Sequence, residues 1–221
     1  EATLGDLKAH CRVRVAPKLP FTADFTKVPM GRTPAAWVNT QGKFSVIEGP
    51  KGIADHPILS KRNNQPNILV ARANAYIGAP TLSDYTIEVD EYATKVKTDL
   101  SDMGCGNCRY EVILFGNDQK LRVSSWSAQG RVEETIPFAW KPDAWYHLKL
   151  KVTPQDGKAL VQAKVYPRDE KEPDKWTMEL TDAYPNTEGT PFLYGYSVGD
   201  VGPMEPGTSV YFNNLKIYPN K

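Results

Sequence analysis

Alternation with a period of two residues recurs along this chain and confines it to short, half-buried strands. Successive side chains of a strand leave opposite faces, so one apolar face and one polar face appear as strict alternation. WYHLKLKV (145–152) shows the pattern most clearly: Tyr146, Leu148, Leu150 and Val152 fall on one side, His147, Lys149 and Lys151 on the other. DYTIEVDEY (84–92) sets Tyr85, Ile87 and Val89 against Thr86, Glu88, Asp90 and Tyr92, with Glu91 on the face of Val89. RYEVILFG (109–116) sets Tyr110, Val112 and Leu114 against Arg109, Glu111 and Ile113. No long segment carries the 3.6-residue apolar period of an amphipathic helix.

Further strand candidates are GKFSVIEG (42–49), NILVARA (67–73), KLRVSSW (120–126), ALVQAKVYP (159–167) and SVYFNNLKIYP (209–219). Turn signals separate them, as in GNDQ and TPQDGK, and 18 prolines and 16 glycines supply the breaks. At least eight strands at hairpin spacing in 221 residues predict an all-β, two-sheet antiparallel jelly-roll sandwich. A chain of this length buries a real core without staples.

The leading segment reads differently. ATLGDLKAHCRVRVAPKLP predicts a hairpin with Leu7, Cys11, Val13 and Val15 alternating, followed by a stiff Pro-x-x-Pro exit. Residues 1–16 are expected to be the last strand or hairpin of a preceding domain, residues 17–20 a connector, and residues 21–221 the sandwich. The opening EATLGDLKAH lacks the apolar core of a signal peptide, so a mature chain or a piece of a longer one is expected.

Charge narrows the partners. The chain carries 27 basic and 26 acidic residues, a formal net charge of +1, so no basic excess points to nucleic acid. No apolar run approaches the roughly 20 residues of a membrane-spanning helix.

Several stretches carry a resemblance. ADFTKVPMGRTPAAWVNTQGKFSV (23–46) resembles the opening of laminin-G-like, concanavalin A-like jelly-roll domains, and LSDYTIEVDEYAT (82–94) continues the pattern. WKPDAWYHLKLKV (140–152), KVYPRDEKEPDKW (164–176) and the closing VYFNNLKIY (210–218) resemble a domain at the C-terminus of bacterial pyrroloquinoline-quinone (PQQ)-like β-propeller proteins. That domain is related to family 16 glycosidases and 3-keto-disaccharide hydrolases. The resemblance covers about residues 21–221. It implies an exported, periplasmic or outer-membrane-associated protein, a preceding immunoglobulin-like domain, and a glycan or neighbouring domains or subunits as partner.

Family 16 glycosidases work with an E-x-D-x-E run, one carboxylate as nucleophile and another as acid. Here Glu88 and Asp90 occupy the first two positions, and Tyr92 stands where the third carboxylate belongs. The expectation is therefore a non-catalytic carbohydrate-binding or docking module. A glycoside hydrolase-like enzyme using Glu88 and Asp90 is the alternative, and a purely structural subunit the third reading. No G-x-S-x-G elbow or phosphate-binding glycine loop occurs.

Sugar binding asks for flat aromatic faces beside planar polar groups. Glu88, Asp90, Arg122, Trp126 and His147 are the ligand-binding candidates, with Arg131, Trp140, Trp145 and Trp176 nearby in sequence; Trp37 is expected in the core. No cofactor is expected, beyond a structural Ca²⁺ that the resemblance allows at Asp24, Asn213 and Asn214.

GCGNC (104–108) is the remaining feature. A haem anchor needs histidine after the second cysteine, and Arg109 stands there. A zinc knuckle lacks a second ligand pair beyond His10 and Cys11, and a redox dithiol sits at a helix start rather than before a strand. The expectation is a local Cys105–Cys108 disulfide that tightens a glycine-rich turn leading into the 109–116 strand, in an oxidising compartment, with Cys11 free or paired outside this chain; pairing of Cys11 with Cys105 or Cys108 is the alternative.

Overall fold

The computed structural model describes residues 2–11, 13–62, 71–125, 132–199 and 207–221. Trp126, Arg131 and the first part of NILVARA lie outside the described residues. Eighteen strands and a single 3₁₀ turn at Phe25–Lys27 make up the regular structure among them. In chain order they are β1 (Ala2–Leu4), β2 (Leu7–Ala9), β3 (Phe21–Thr22), β4 (Phe44–Ile47), β5 (Ile58–Arg62) and β6 (Arg72–Tyr76). There follow β7 (Tyr85–Ala93), β8 (Lys95–Val96), β9 (Asp99–Leu100), β10 (Asp102–Asn107), β11 (Tyr110–Phe115) and β12 (Lys120–Ser125). The last are β13 (Glu133–Pro137), β14 (Trp145–Gln155), β15 (Lys158–Pro167), β16 (Met178–Asp182), β17 (Phe192–Tyr196) and β18 (Ser209–Pro219).

Two antiparallel sheets form the sandwich. The larger runs β16-β15-β14-β7-β18-β5-β4, with β3 also on β18. The smaller runs β13-β12-β11-β10-β17-β6. Strand β18 pairs β7 along one edge, with a register shift between Asn213 and Lys216; along the other its first half pairs β5 and its second half pairs β3.

The alternation read from sequence sets the core. Tyr85, Ile87 and Val89 of β7, Leu148, Leu150 and Val152 of β14, and Tyr110, Val112 and Leu114 of β11 are all buried between the sheets. Trp37 joins them, edge-on to Phe25 at 6.1 Å between ring centroids. One inward position breaks the pattern. Glu91 is fully buried, and neither carboxylate oxygen has a hydrogen-bond partner among the described residues. Burial and the neighbouring Asp90 push its carboxyl well above the ordinary glutamate range.

The leading segment does form a hairpin, β1 paired with β2. Its apolar side chains stay exposed: Leu4, Leu7, Val13 and Val15 keep between 72% and 80% of their surface.

The expected Cys105–Cys108 disulfide is not formed; all three thiols are free. The glycine-rich stretch is not a turn but strand β10, opposite Val112 at Cys105. Cys105 projects into the core, whereas Cys108 and Arg109 form the two-residue tip of the β10–β11 hairpin, both with positive φ (48° and 64°). The Cys108 Sγ turns to the carbonyls of Leu82 (3.7 Å) and Thr187 (3.8 Å). Burial, then Glu91, pushes the Cys105 thiol up, and burial pushes Cys108 up to about 12, so neither is a ready thiolate. Cys11 is exposed.

Candidate functional site

The residues singled out from sequence divide between the two outer faces. Glu88, Asp90 and His147 come together on the outer face of the larger sheet, because β14 and β18 flank β7 in register. Asp90 lies opposite His147 on one side and Asn213 on the other, and Glu88 lies opposite Lys149 and Lys216. His147 Nδ1 is 2.7 Å from Asp90 Oδ1, and Asn214 Nδ2 donates to Asp90 Oδ2 at 2.7 Å. Lys149 Nζ is 2.7 Å from Glu88 Oε1, and the Tyr218 hydroxyl donates to the same oxygen. Burial works to raise the Glu88 carboxyl, but Lys149 and Tyr218 outweigh it and leave it below its ordinary value.

The network continues to the rim. Lys149 and Lys164 both reach Glu172 Oε1, at 3.0 and 2.9 Å, and Lys164 lies over the Trp176 ring at 4.9 Å. At the other end Tyr92 packs between Trp145 (5.3 Å) and Tyr211 (6.0 Å), and the Trp145 indole donates to Ile53 O. Glu88, Asp90 and Glu172 are thus each matched by a cation, amide or hydroxyl, and the place of a third carboxylate is filled by a packed tyrosine. The arrangement ties three strands together.

The calcium candidates have protein partners of their own. Asp24 caps the 3₁₀ turn through Thr26 and pairs with Lys27 at 2.9 Å. Asn213 lies 2.7 Å from His56 Nε2. Among the described residues no group of three or more His, Cys, Asp or Glu converges as a metal site.

Arg122 lies elsewhere, on the outer face of the smaller sheet, and there the surface is hollow. A cleft of about 380 Å³ is lined by Asn39, Arg72, Ala73, Asn74, Glu111, Ile113, Phe115, Arg122 and Tyr194. Arg122 donates to Glu111 Oε1 at 3.2 Å and stacks over the Phe115 ring at 4.8 Å. Its buried Nε finds no acceptor among the described residues. Burial raises the Glu111 carboxyl, and Arg122 opposes that shift only in part. Arg72 stacks over Tyr196 at 4.7 Å. Asp102, on β10 opposite Phe115's end of the cleft, accepts from Gly116 N–H at 2.8 Å; burial pushes it up to about 6.

One glycine shapes this face. A Cβ at Gly106 would lie 2.0 Å from the Phe192 ring, so glycine lets that ring lie across β10. The aromatic row Phe192, Tyr194 and Tyr196 comes from FLYGY, which sequence reading left without a strand; its alternation with Leu193 and Gly195 was the available signal. A larger space of about 820 Å³ lies between Arg14 and the 29–44 loop, but its rings, Trp37 and Phe44, are buried and offer no flat face.

The sandwich matches solved structures of the concanavalin A-like jelly-roll class. It aligns with a glycoside hydrolase family protein from Mycobacterium thermorestibile at 12% identity and TM-score 0.56, over 90% of this chain and 100% of that one. A family 16 glycosyl hydrolase from Mycobacterium smegmatis aligns at 14% identity and TM-score 0.51, over 90% and 99%. The Crh5 transglycosylase aligns at 13% identity and TM-score 0.53, over 91% and 84%. At such identities the likeness is one of fold. No protein-family model matches the sequence, and no curated protein matches it.

Proposed function

We propose that this chain is a non-catalytic glycan-binding module whose ligand lies on the outer face of the smaller sheet. The observation that carries this reading is the cleft beside Arg122. It joins what a sugar ring needs, a half-buried ring (Phe115) with the buried Tyr194 behind it, and planar polar groups (Arg72, Asn74, Glu111, Arg122). The fold neighbours, glycoside hydrolases and a transglycosylase by name, support a carbohydrate ligand. Glu88 and Asp90, the pair expected from sequence, belong to a compensated network on the opposite outer face.

The test is binding to a polysaccharide panel by affinity electrophoresis. Arg122→Gln and Tyr194→Phe are expected to weaken binding about tenfold each, as the loss of one well-placed hydrogen bond to a ligand does. Glu88→Gln is expected to leave it unchanged. Loss of binding in Glu88→Gln with retention in Arg122→Gln overturns the placement.

A second reading, glycoside cleavage, has one observation in its favour: Asp102, held near 6 by burial, with Glu111 on the same face. A general acid must be protonated to act. Any sugar release should then fall as pH rises through about 6 and vanish in Asp102→Asn. Release that persists in that variant removes Asp102 from the role.

The setting within a larger exported protein beside a PQQ-like propeller is part of the same proposal. The exposed leucines and valines of the leading segment support a neighbouring domain there. The mass of the native polypeptide tests it, and a native chain of this length alone removes it.

A further inference from the structure

The cleft beside Arg122 does not end at Tyr194. A second cavity, about 160 Å³, lies on the same sheet and is lined by Tyr76, Pro80, Arg109, Gly189, Thr190 and Phe192. Strand β17 contributes Tyr194 to the first cavity and Phe192 to the second, and β6 contributes Asn74 and Tyr76 in the same order. Residues two apart on one strand face are separated by roughly 7 Å. The two cavities therefore follow one another along the strands, as two positions for an extended chain rather than two isolated holes.

The lining residues of both cavities hold more guanidinium groups than carboxylates. Arg109 and Arg72 are exposed, and neither makes an ion pair among the described residues. Arg72 lies over Tyr196 and Arg122 over Phe115, so ring packing holds both planar groups at the face. Of the nearby carboxylates, Glu188 is exposed next to Gly189 of the second cavity, and those around the first are engaged or peripheral. Glu111 is Arg122's partner, Asp102 is buried on Gly116 N–H, and Glu133 sits on β13 at the sheet edge.

We infer that the groove takes an acidic polysaccharide, a chain of uronic-acid type whose carboxylates meet Arg72 and Arg109 while its rings lie along Phe115 and Tyr76, the half-buried rings of the two cavities. This rests on the glycan-binding reading above and names its ligand class. A guanidinium fork matches a carboxylate through two parallel hydrogen bonds, and neutral sugars offer nothing that uses it equally.

The experiment measures binding of the purified chain to polygalacturonate, to the same polymer with its carboxyls reduced to alcohols, and to a neutral β-glucan. Binding to polygalacturonate is expected to be at least about tenfold tighter than to the reduced polymer and to weaken with salt. Arg72→Gln and Arg109→Gln, both at exposed positions, are expected to erase most of that difference without lowering the urea midpoint. Equal binding to the acidic and reduced polymers, lost in Tyr194→Phe, overturns the acidic ligand and keeps the glycan-binding reading. A preference for polygalacturonate that survives in the Arg72→Gln/Arg109→Gln double variant overturns the placement. Binding to none of the polymers overturns the glycan reading itself.

Discussion

Replacing Glu91 with leucine is expected to stabilise the protein by about 1–3 kcal/mol at pH 8, the cost of a buried polar group left without a hydrogen-bond partner. Glu91 is enclosed between the sheets, both carboxylate oxygens lack partners, and its neighbours include the Cys105 thiol and Asp90. Its folded-state carboxyl is raised well above the ordinary value of 4.5. The folded chain therefore holds a proton that the unfolded chain releases. Stability should fall as pH rises above about 4.5 and level off only beyond the folded-state value. The leucine variant lacks this dependence, so the gain should be largest at pH 8 and smaller at pH 4, where only the unpartnered neutral carboxyl remains to be relieved. Urea unfolding at both values measures it. A gain independent of pH would show that Glu91 acts through shape alone, and a loss at pH 8 would show that its carboxyl has a partner.

The second large effect is expected in the opposite direction. Gly104→Ala places a Cβ 2.2 Å from the carbonyl oxygen of Val112 and 3.1 Å from the Ile113 Cα. Both are backbone atoms of the adjacent strand, so no side chain can rotate away. β10 lies between β11 and β17 in the middle of the smaller sheet, and the strain spreads to the hairpin and the aromatic row. A loss of roughly 3 kcal/mol or more is expected, at the upper end for overpacking in a rigid site. The readout is the urea midpoint, or the soluble yield where the variant does not fold. An unchanged midpoint would mean that β10 shifts freely, contrary to its pairing on both edges.

These two positions show how far local reading reaches. Glu91 was placed on the inward face by alternation alone, and it is there. What alternation does not reveal is whether an inward carboxyl finds a partner, because that depends on the facing sheet. The GCGNC stretch misled for a related reason. Glycine in a short polar context signals a turn, yet here Gly104 and Gly106 are required by close neighbours in a central strand, and the turn begins only at Cys108. A disulfide expected from the C-x-x-C spacing failed because Cys105 faces the core as a strand residue while Cys108 sits in the tip.

The candidate site divides in the same way. Glu88, Asp90 and His147 were each outward by phase, but they gather on one face only because β7 lies beside β14, strands separated by six others in the chain. Arg122 was recognised as an outward planar cation, but its companions Arg72, Asn74 and Tyr194 were not. They come from β6 and β17, which reach β10 and β11 only across long stretches of chain. Phase, strand class and the two-layer sandwich are properties of consecutive residues, and the amino-acid order by itself determined them. Which outward face became a cleft was decided by which distant strands lie side by side, because a groove is built from side chains of several strands and no single strand encodes its neighbours.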